Sequence, residues 1–146
     1  MAAGLRSPPY TKDILRLAAG QEHHGTLDAP DAHVSRRSRT CGSAILLDVA
    51  LGGGAVTDIA VQVEACAYGQ AAATLMTRHA RGKSEADVVR TLAGLQAWFD
   101  GRGDAPDAWP ELDRLEPVRD RAGRHGAVLL PFEALAQALR EAGNGS

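Results

Sequence analysis

Residues 44–64 read AILLDVALGGGAVTDIAVQVE, and this stretch decides the fold. Ile45, Leu47, Val49 and Leu51 alternate with Ala44, Leu46, Asp48 and Ala50. Beyond Gly52-Gly53-Gly54, Ile59, Val61, Val63 and Ala65 alternate with Asp58, Ala60, Gln62 and Glu64. Alternation with period two puts one apolar set on one side of a strand, and a glycine run between two such strands reads as a hairpin. The chain therefore doubles back. Cys66, just past the second strand, returns towards Cys41, just before the first, so the two thiols of the chain are expected at one edge of a small sheet.

Working outward, His33 to Arg39 alternates weakly and reads as a first, edge strand, whose arginines and serines discourage wrong pairing. Before it, Tyr10 to Ala19 is helical, with Tyr10, Ile14, Leu15 and Leu17–Ala18 as its stripe, and Leu27 to Asp31 is a loop punctuated by Pro30. After the hairpin, Tyr68 to Ala80 has helix formers, with Ala72, Leu75, Met76 and His79 sharing a face. Gly82-Lys83-Ser84 breaks it, and Ser84 caps a helix to about Phe99 whose first turn carries Glu85 and Asp87. Val88, Val89, Leu92, Leu95, Trp98 and Phe99 are that helix's expected core stripe. Asp100 to Pro110 is a loop, Glu111 to Leu115 a short turn ended by Pro117, and Val128, Leu129, Phe132, Leu135, Ala136 and Leu139 mark a last helix, with Gly143 to Ser146 fraying. Strands followed by helices predict an α+β fold, a three-stranded antiparallel sheet covered by helices on one face. Residues 1–9 are expected to be a disordered N-terminus and 10–142 one domain.

The composition narrows the function classes. With 146 residues, 45% apolar and only 4% aromatic, the core has to be built mainly from Leu, Val and Ala. A formal charge of −2 gives no electrostatic case for nucleic acid or an anionic membrane. The basic clusters at Arg36-Arg37 and Arg119 to Arg124 read as solvated surface. No segment approaches the roughly 18 apolar residues of a membrane span, and Met1 to Pro9 lacks a signal-like apolar core. A cytoplasmic location follows as an expectation, and there two cysteines serve as ligands, nucleophiles or core residues rather than a disulfide.

Cys66 is expected where a strand ends and a helix begins, a position whose helix dipole favours a thiolate. Cys41 precedes a glycine, where backbone can approach a ligand. A free cysteine is also commonly a small buried hydrophobe, and with no CxxC pair the interval alone leans slightly that way.

From Tyr10 to Leu139 the chain resembles the U-type iron–sulfur cluster assembly scaffold family, the NifU N-terminal, IscU-like or SufU-like domain. The features carrying the resemblance are Cys41-Gly42, the Val56 to Glu64 strand leading into Cys66 and a helix of small residues, Gly82-Lys83-Ser84 at a family Gly-Lys-Ser/Thr turn, and the Ala127 to Leu139 helix. The longer loop between residues 99 and 125 is similar to the SufU-type branch. In that family three cysteines and an aspartate hold a nascent [2Fe–2S] cluster or zinc, both of which suit soft sulfur donors. The resemblance implies Cys41 and Cys66 as the first two ligands. It also exposes two departures, since Ser43 stands at the aspartate position and Gly126 at the third cysteine. His125 adjoins that vacant position, as a histidine does in the IscU type, and is a candidate third metal ligand; the bland alternative is an exposed polar residue of the loop.

What the resemblance implies is a non-enzymatic scaffold that takes sulfur from a cysteine desulfurase, binds iron or a nascent [2Fe–2S] cluster through Cys41 and Cys66, and passes it to recipient apoproteins. A homodimer would supply four thiolates. Two alternatives keep the fold: a zinc-binding sulfur-transfer partner of a desulfurase, and a divergent interaction or regulatory protein. Other residues carry less. His23-His24 reads as solvent-facing, His79 as half-buried, Asp48 as too far along its strand to be a ligand, and Gly52-Gly53-Gly54 and Lys83 as turns without a phosphate loop. No serine–histidine–aspartate arrangement is present that the sequence can defend.

Overall fold

The computed structural model describes residues 10–39 and 42–144. Helix α1 (Lys12–Ala19) leads to strands β1 (Ala32–Arg37), β2 (Ala44–Gly52) and β3 (Ala55–Glu64), then to helices α2 (Ala67–His79), α3 (Glu85–Phe99) and α4 (His125–Asn144). The strands form one antiparallel sheet in the order β1-β2-β3. The hairpin turns through Gly53 and Gly54 at φ 63° and 81°, backbone angles that glycine alone adopts freely.

Register decides what each face does. Val34, Leu47 and Val61 lie in one row, and with Ile45, Val49 and Ile59 they form a buried inner face. α4 packs beneath β1 and β2, while α2 packs between α1, α4 and β3. The expected stripe on α2 is a correction. Tyr68, Gly69 and every residue from Ala71 to Thr77 are buried, so α2 is the hidden central helix. Its small side chains let neighbours close in from all sides, which is how a chain poor in aromatics fills its core.

The first loop does more than connect. Val61 donates to the His23 carbonyl (2.9 Å) and accepts from the Gly25 N–H (2.9 Å), so residues 23–25 cover the edge of β3. The Leu27 N–H then bonds Asp48 Oδ2 at 3.0 Å, and Asp31 reaches the Val49 carbonyl at 2.7 Å. The loop thus crosses the outer face before β1 begins. Asp48, 5% exposed, is held there by Leu27 and by His33 Nδ1 at 2.5 Å, a structural carboxylate satisfied in place.

Several boundaries differ from the sequence expectation. Leu15 and Val89 are both 49% exposed, outside the stripes assigned to them; Thr91 takes the inward position on α3 with its hydroxyl donating to the Asp87 carbonyl (2.9 Å). Ser84 and Asp87 form a full capping box, which holds the Asp87 carboxyl below its usual range. Pro117 lies inside a 3-10 helix (Leu112–Val118) rather than after a turn. α4 starts at His125 and runs through Gly143 to Asn144. The expected disorder of residues 1–9 lies outside the described residues.

The loop after α3 is anchored at two points. Trp109 is fully buried, donates its indole N–H to the Leu75 carbonyl (3.0 Å) and meets Phe132 edge-on at 5.3 Å. Glu111, at φ 71°, receives Arg78 (3.1 Å), His79 Nε2 (2.5 Å) and Arg114. Arg114 continues to Asp13 on α1 at 2.6 Å. Bonds from His79, then Arg78 and Arg114, hold the Glu111 carboxyl down to about 2 against the penalty of burial. The bond from Arg114 likewise lowers Asp13.

Candidate metal centre

Cys66 occupies the N-cap of α2, extended at φ −65° and ψ 173°, and its sulfur caps no backbone amide. It is a free, half-buried thiol. Its carbonyl accepts the Gln70 N–H (2.9 Å), and the Gln70 side chain donates back to the Val63 carbonyl (3.0 Å). The end of β3 and the first turn of α2 are thereby locked into one corner, with a soft sulfur donor at its tip.

Gly69 decides what comes next to that corner. A Cβ there would lie 2.6 Å from Ala65 Cβ and 3.2 Å from both Ala127 Cβ and the Ala127 carbonyl. Only glycine admits this approach. The first turns of α2 and α4 therefore touch, and Cys66 and His125 stand at the starts of two adjoining helices.

The His125 ring is already engaged. It stacks on Phe99 (centroids 4.5 Å, 21° between planes), and Nε2 lies 2.9 Å from the Val118 carbonyl and 3.1 Å from that of Arg119. Carbonyls only accept, so Nε2 carries a proton, and in the neutral ring Nδ1 is the nitrogen with the lone pair. The exposed-loop alternative does not describe this residue, which is half-buried.

On the other side of the corner, Ala44 pairs with Glu64, so the turn between β1 and β2 opens at the same end of the sheet as Cys66. Ser43, 4% exposed, accepts the Ser38 N–H through its carbonyl at 2.8 Å, and Gly42 takes φ 71°. Cys41 lies outside the described residues. Among the described residues no three His, Cys, Asp or Glu side chains gather as a cation site.

The residues lining the corner were not all legible beforehand. Tyr68 is buried two residues beyond Cys66, its ring tilted 58° against that of Tyr10 with centroids 4.9 Å apart, and the Arg121 guanidinium lies 6.0 Å from its ring. Burial raises the Tyr68 phenol, while the charges of Arg121 and Arg124 act the other way. The aromatic residue next to the thiol was visible in the sequence; the arginines from far along the chain carried no signal linking them to it. His23 and His24 serve the β3 edge, and His79 serves Glu111.

Comparison with known proteins agrees with this geometry. The family model of the NifU-like N terminal domain matches residues 9–94. No curated protein matches the chain. Among solved structures, a nitrogen-fixing NifU-like protein (N-terminal) from Brucella abortus is similar over 94% of this chain and 96% of its own, with 33% identity and a TM-score of 0.88. A putative iron–sulfur cluster assembly scaffold protein for the SUF system from Fervidobacterium islandicum AW-1 shares the fold at 19% identity, TM-score 0.82, over 90% of this chain and 96% of its own. No helix among the described residues is long and apolar enough to cross a membrane.

Proposed function

Because this chain belongs to the NifU-like N-terminal domain family, we propose that it works as an iron–sulfur assembly scaffold, holding iron or a nascent [2Fe–2S] cluster as cargo at the Cys66 corner. The observation that supports this most is the meeting, at one end of the sheet, of the β1–β2 turn, the β3–α2 corner and the start of α4. Cys41 and Cys66 would supply thiolates and His125 Nδ1 a neutral nitrogen. Two thiolates balance the charge of one dication, and a third, neutral donor adds affinity without adding charge. Sulfur would come from a cysteine desulfurase in the cytoplasm, and recipient apoproteins would take the product; no small substrate is turned over.

Ser43 and Gly126 leave this donor set short of what the family resemblance implies, so cargo is held loosely. The test is anaerobic reconstitution of the purified chain with iron and sulfide, in parallel with zinc. Stoichiometric iron and sulfide with a charge-transfer spectrum, lost in Cys66→Ala and Cys41→Ala, supports the scaffold. Zinc alone, lost in the same variants, replaces it with the zinc-dependent sulfur-transfer reading. No metal under either condition refutes both.

A further inference from the structure

Arginines from both basic clusters that looked like solvated surface in the sequence stand at the Cys66 end of the fold. Arg37 shares a row with Ala44 and Glu64 at the end of the sheet that leads into Cys66. Arg39 stands in the turn that follows. From the far end of the chain, Arg121 lies over the Tyr68 ring, two residues beyond Cys66, and Arg124 is close enough to act on the same phenol.

Their state differs from that of other arginines. Arg36 turns inward to Gln137 (2.9 Å) and Glu133 (3.9 Å), and Arg119 bonds the Trp98 carbonyl (3.2 Å) and covers its ring. Arg78, Arg81, Arg90, Arg102 and Arg114 each have a carboxylate within 4.0 Å. Arg37, Arg39, Arg121 and Arg124 are exposed and, among the described residues, none pairs with a carboxylate. Glu64, in the same sheet row as Arg37, and Asp120, next to Arg121, are acids at this end, also exposed. Four guanidinium groups at the end of the fold that carries Cys66, against the carboxylates of Glu64 and Asp120, leave a local excess of positive charge on a chain of net charge −2.

Beside this rim the outer face of the sheet is uncovered. Leu46, 37% exposed, sits with Ala44 in the floor of a cleft of about 330 Å³ bounded by His24, Ser35, Arg37, Gln62 and Glu64. The loop that covers the rest of this face, around Asp48, stops short of it.

We propose that the arginine rim and this cleft dock an acidic protein segment, an apolar side chain flanked by carboxylates, on the partner that exchanges cargo at Cys66. That the partner exchanges cargo rests on the scaffold reading; the docking itself does not. Carboxylates meet the four guanidinium groups, and the apolar side chain covers Leu46. A protein segment fits better than a nucleic acid strand. A phosphate strand has no apolar side chain to cover Leu46, and Tyr68, the aromatic residue at this end, is buried and offers no face for base stacking. Charge complementarity of this kind speeds encounter and fades with salt.

The test uses the full chain and a fluorescein-labelled acidic peptide with one central leucine, followed by anisotropy. Binding is expected at low salt and should weaken about tenfold between about 50 and about 300 mM salt, as screening predicts. Arg121→Glu/Arg124→Glu and Arg37→Glu/Arg39→Glu should each lose about tenfold, and Leu46→Ser a smaller factor. All these side chains are exposed, so circular dichroism should remain that of the wild type. Bound peptide should also slow alkylation of Cys66, read by mass mapping. Unchanged binding in both charge-reversed variants overturns the proposal. So does tighter binding of a labelled oligothymidylate through the same arginines, or no peptide binding at low salt. If wild type holds neither iron nor zinc yet binds the peptide, the scaffold reading fails and the docking surface stands.

Discussion

Replacing Gly69 with alanine tests whether the corner at Cys66 depends on the close approach of α2 and α4. In an ordinary helix the change stabilises, since alanine is favoured over glycine by about 1 kcal/mol. Here the added methyl would lie 2.6 Å from Ala65 Cβ and 3.2 Å from Ala127 Cβ and its carbonyl. All three are fixed to backbone, so no rotamer change relieves the contact and the helices or the β3–α2 corner must move. Overpacking of this kind costs about 1–3 kcal/mol, and a clash on two sides belongs at the upper end. After the propensity gain, a net loss of about 2 kcal/mol is expected, or a fall in Tm of about 4–8 °C for a domain of this size. The assay is urea unfolding with calorimetry, repeated on Ala65→Gly and on the double variant. Removing the Ala65 methyl takes away the 2.6 Å contact, so the double variant should be about 1 kcal/mol more stable than the two single changes sum to. Gly69→Ala more stable than wild type, or strictly additive changes, would refute the reasoning.

Trp109→Ala should cost about 3–5 kcal/mol, the range for emptying a large buried aromatic site, read by urea unfolding; Trp109→Phe should cost less but still lose the indole hydrogen bond to the Leu75 carbonyl. Glu111→Gln removes the carboxylate that gathers Arg78, His79 and Arg114, and should cost about 1 kcal/mol at neutral pH, given how far these side chains reach solvent. The sign follows from the carboxyl's fall from 4.5 to about 2 on folding: its contribution is complete above about pH 4.5 and lost as pH drops towards 2. Acid titration of stability should therefore be flatter for Glu111→Gln than for wild type across that window. Arg121→Glu/Arg124→Glu, which removes positive charge near the thiol, should bind zinc at least as tightly as wild type at low salt, measured by competition with a chromogenic chelator; weaker binding would contradict the charge argument.

The hairpin was legible because its alternation is uninterrupted for two strands and its turn is glycine. The same rule fixed which side of β2 faces the helices, and Ser84 with Asp87 fixed the start of α3. What periodicity misses is burial from several directions at once. α2 is packed on nearly every side, so its sequence shows small residues in place of a stripe, and Thr91 rather than Val89 faces inward because it lies three residues after Val88 and four before Leu95 on the buried side of α3. Asp48 and the loop over it were invisible for a related reason. A buried carboxylate looks exposed in sequence until the amide that satisfies it, here that of Leu27, is brought across by tertiary structure.

The candidate site divides along the same line. Cys66 could be placed at a strand–helix junction from local pattern alone, and His125 by its neighbourhood to the vacant Gly126 position. The charge around the thiol could not, because it comes from side chains at both ends of the chain. Between the dielectric of water and that of a protein surface, a unit charge about 10 Å away changes the energy of a dication by roughly 1 to 3 kcal/mol before salt screening. Four arginines therefore act together against a cation and in favour of an anionic partner. Ser43 in place of a carboxylate and Gly126 in place of a thiolate push the same way, because each removes negative charge from the donor set. On the scaffold and docking proposals, weaker retention of the cargo and stronger attraction of an acidic partner are then one electrostatic change rather than two, and both would favour a protein that hands its cargo on over one that stores it.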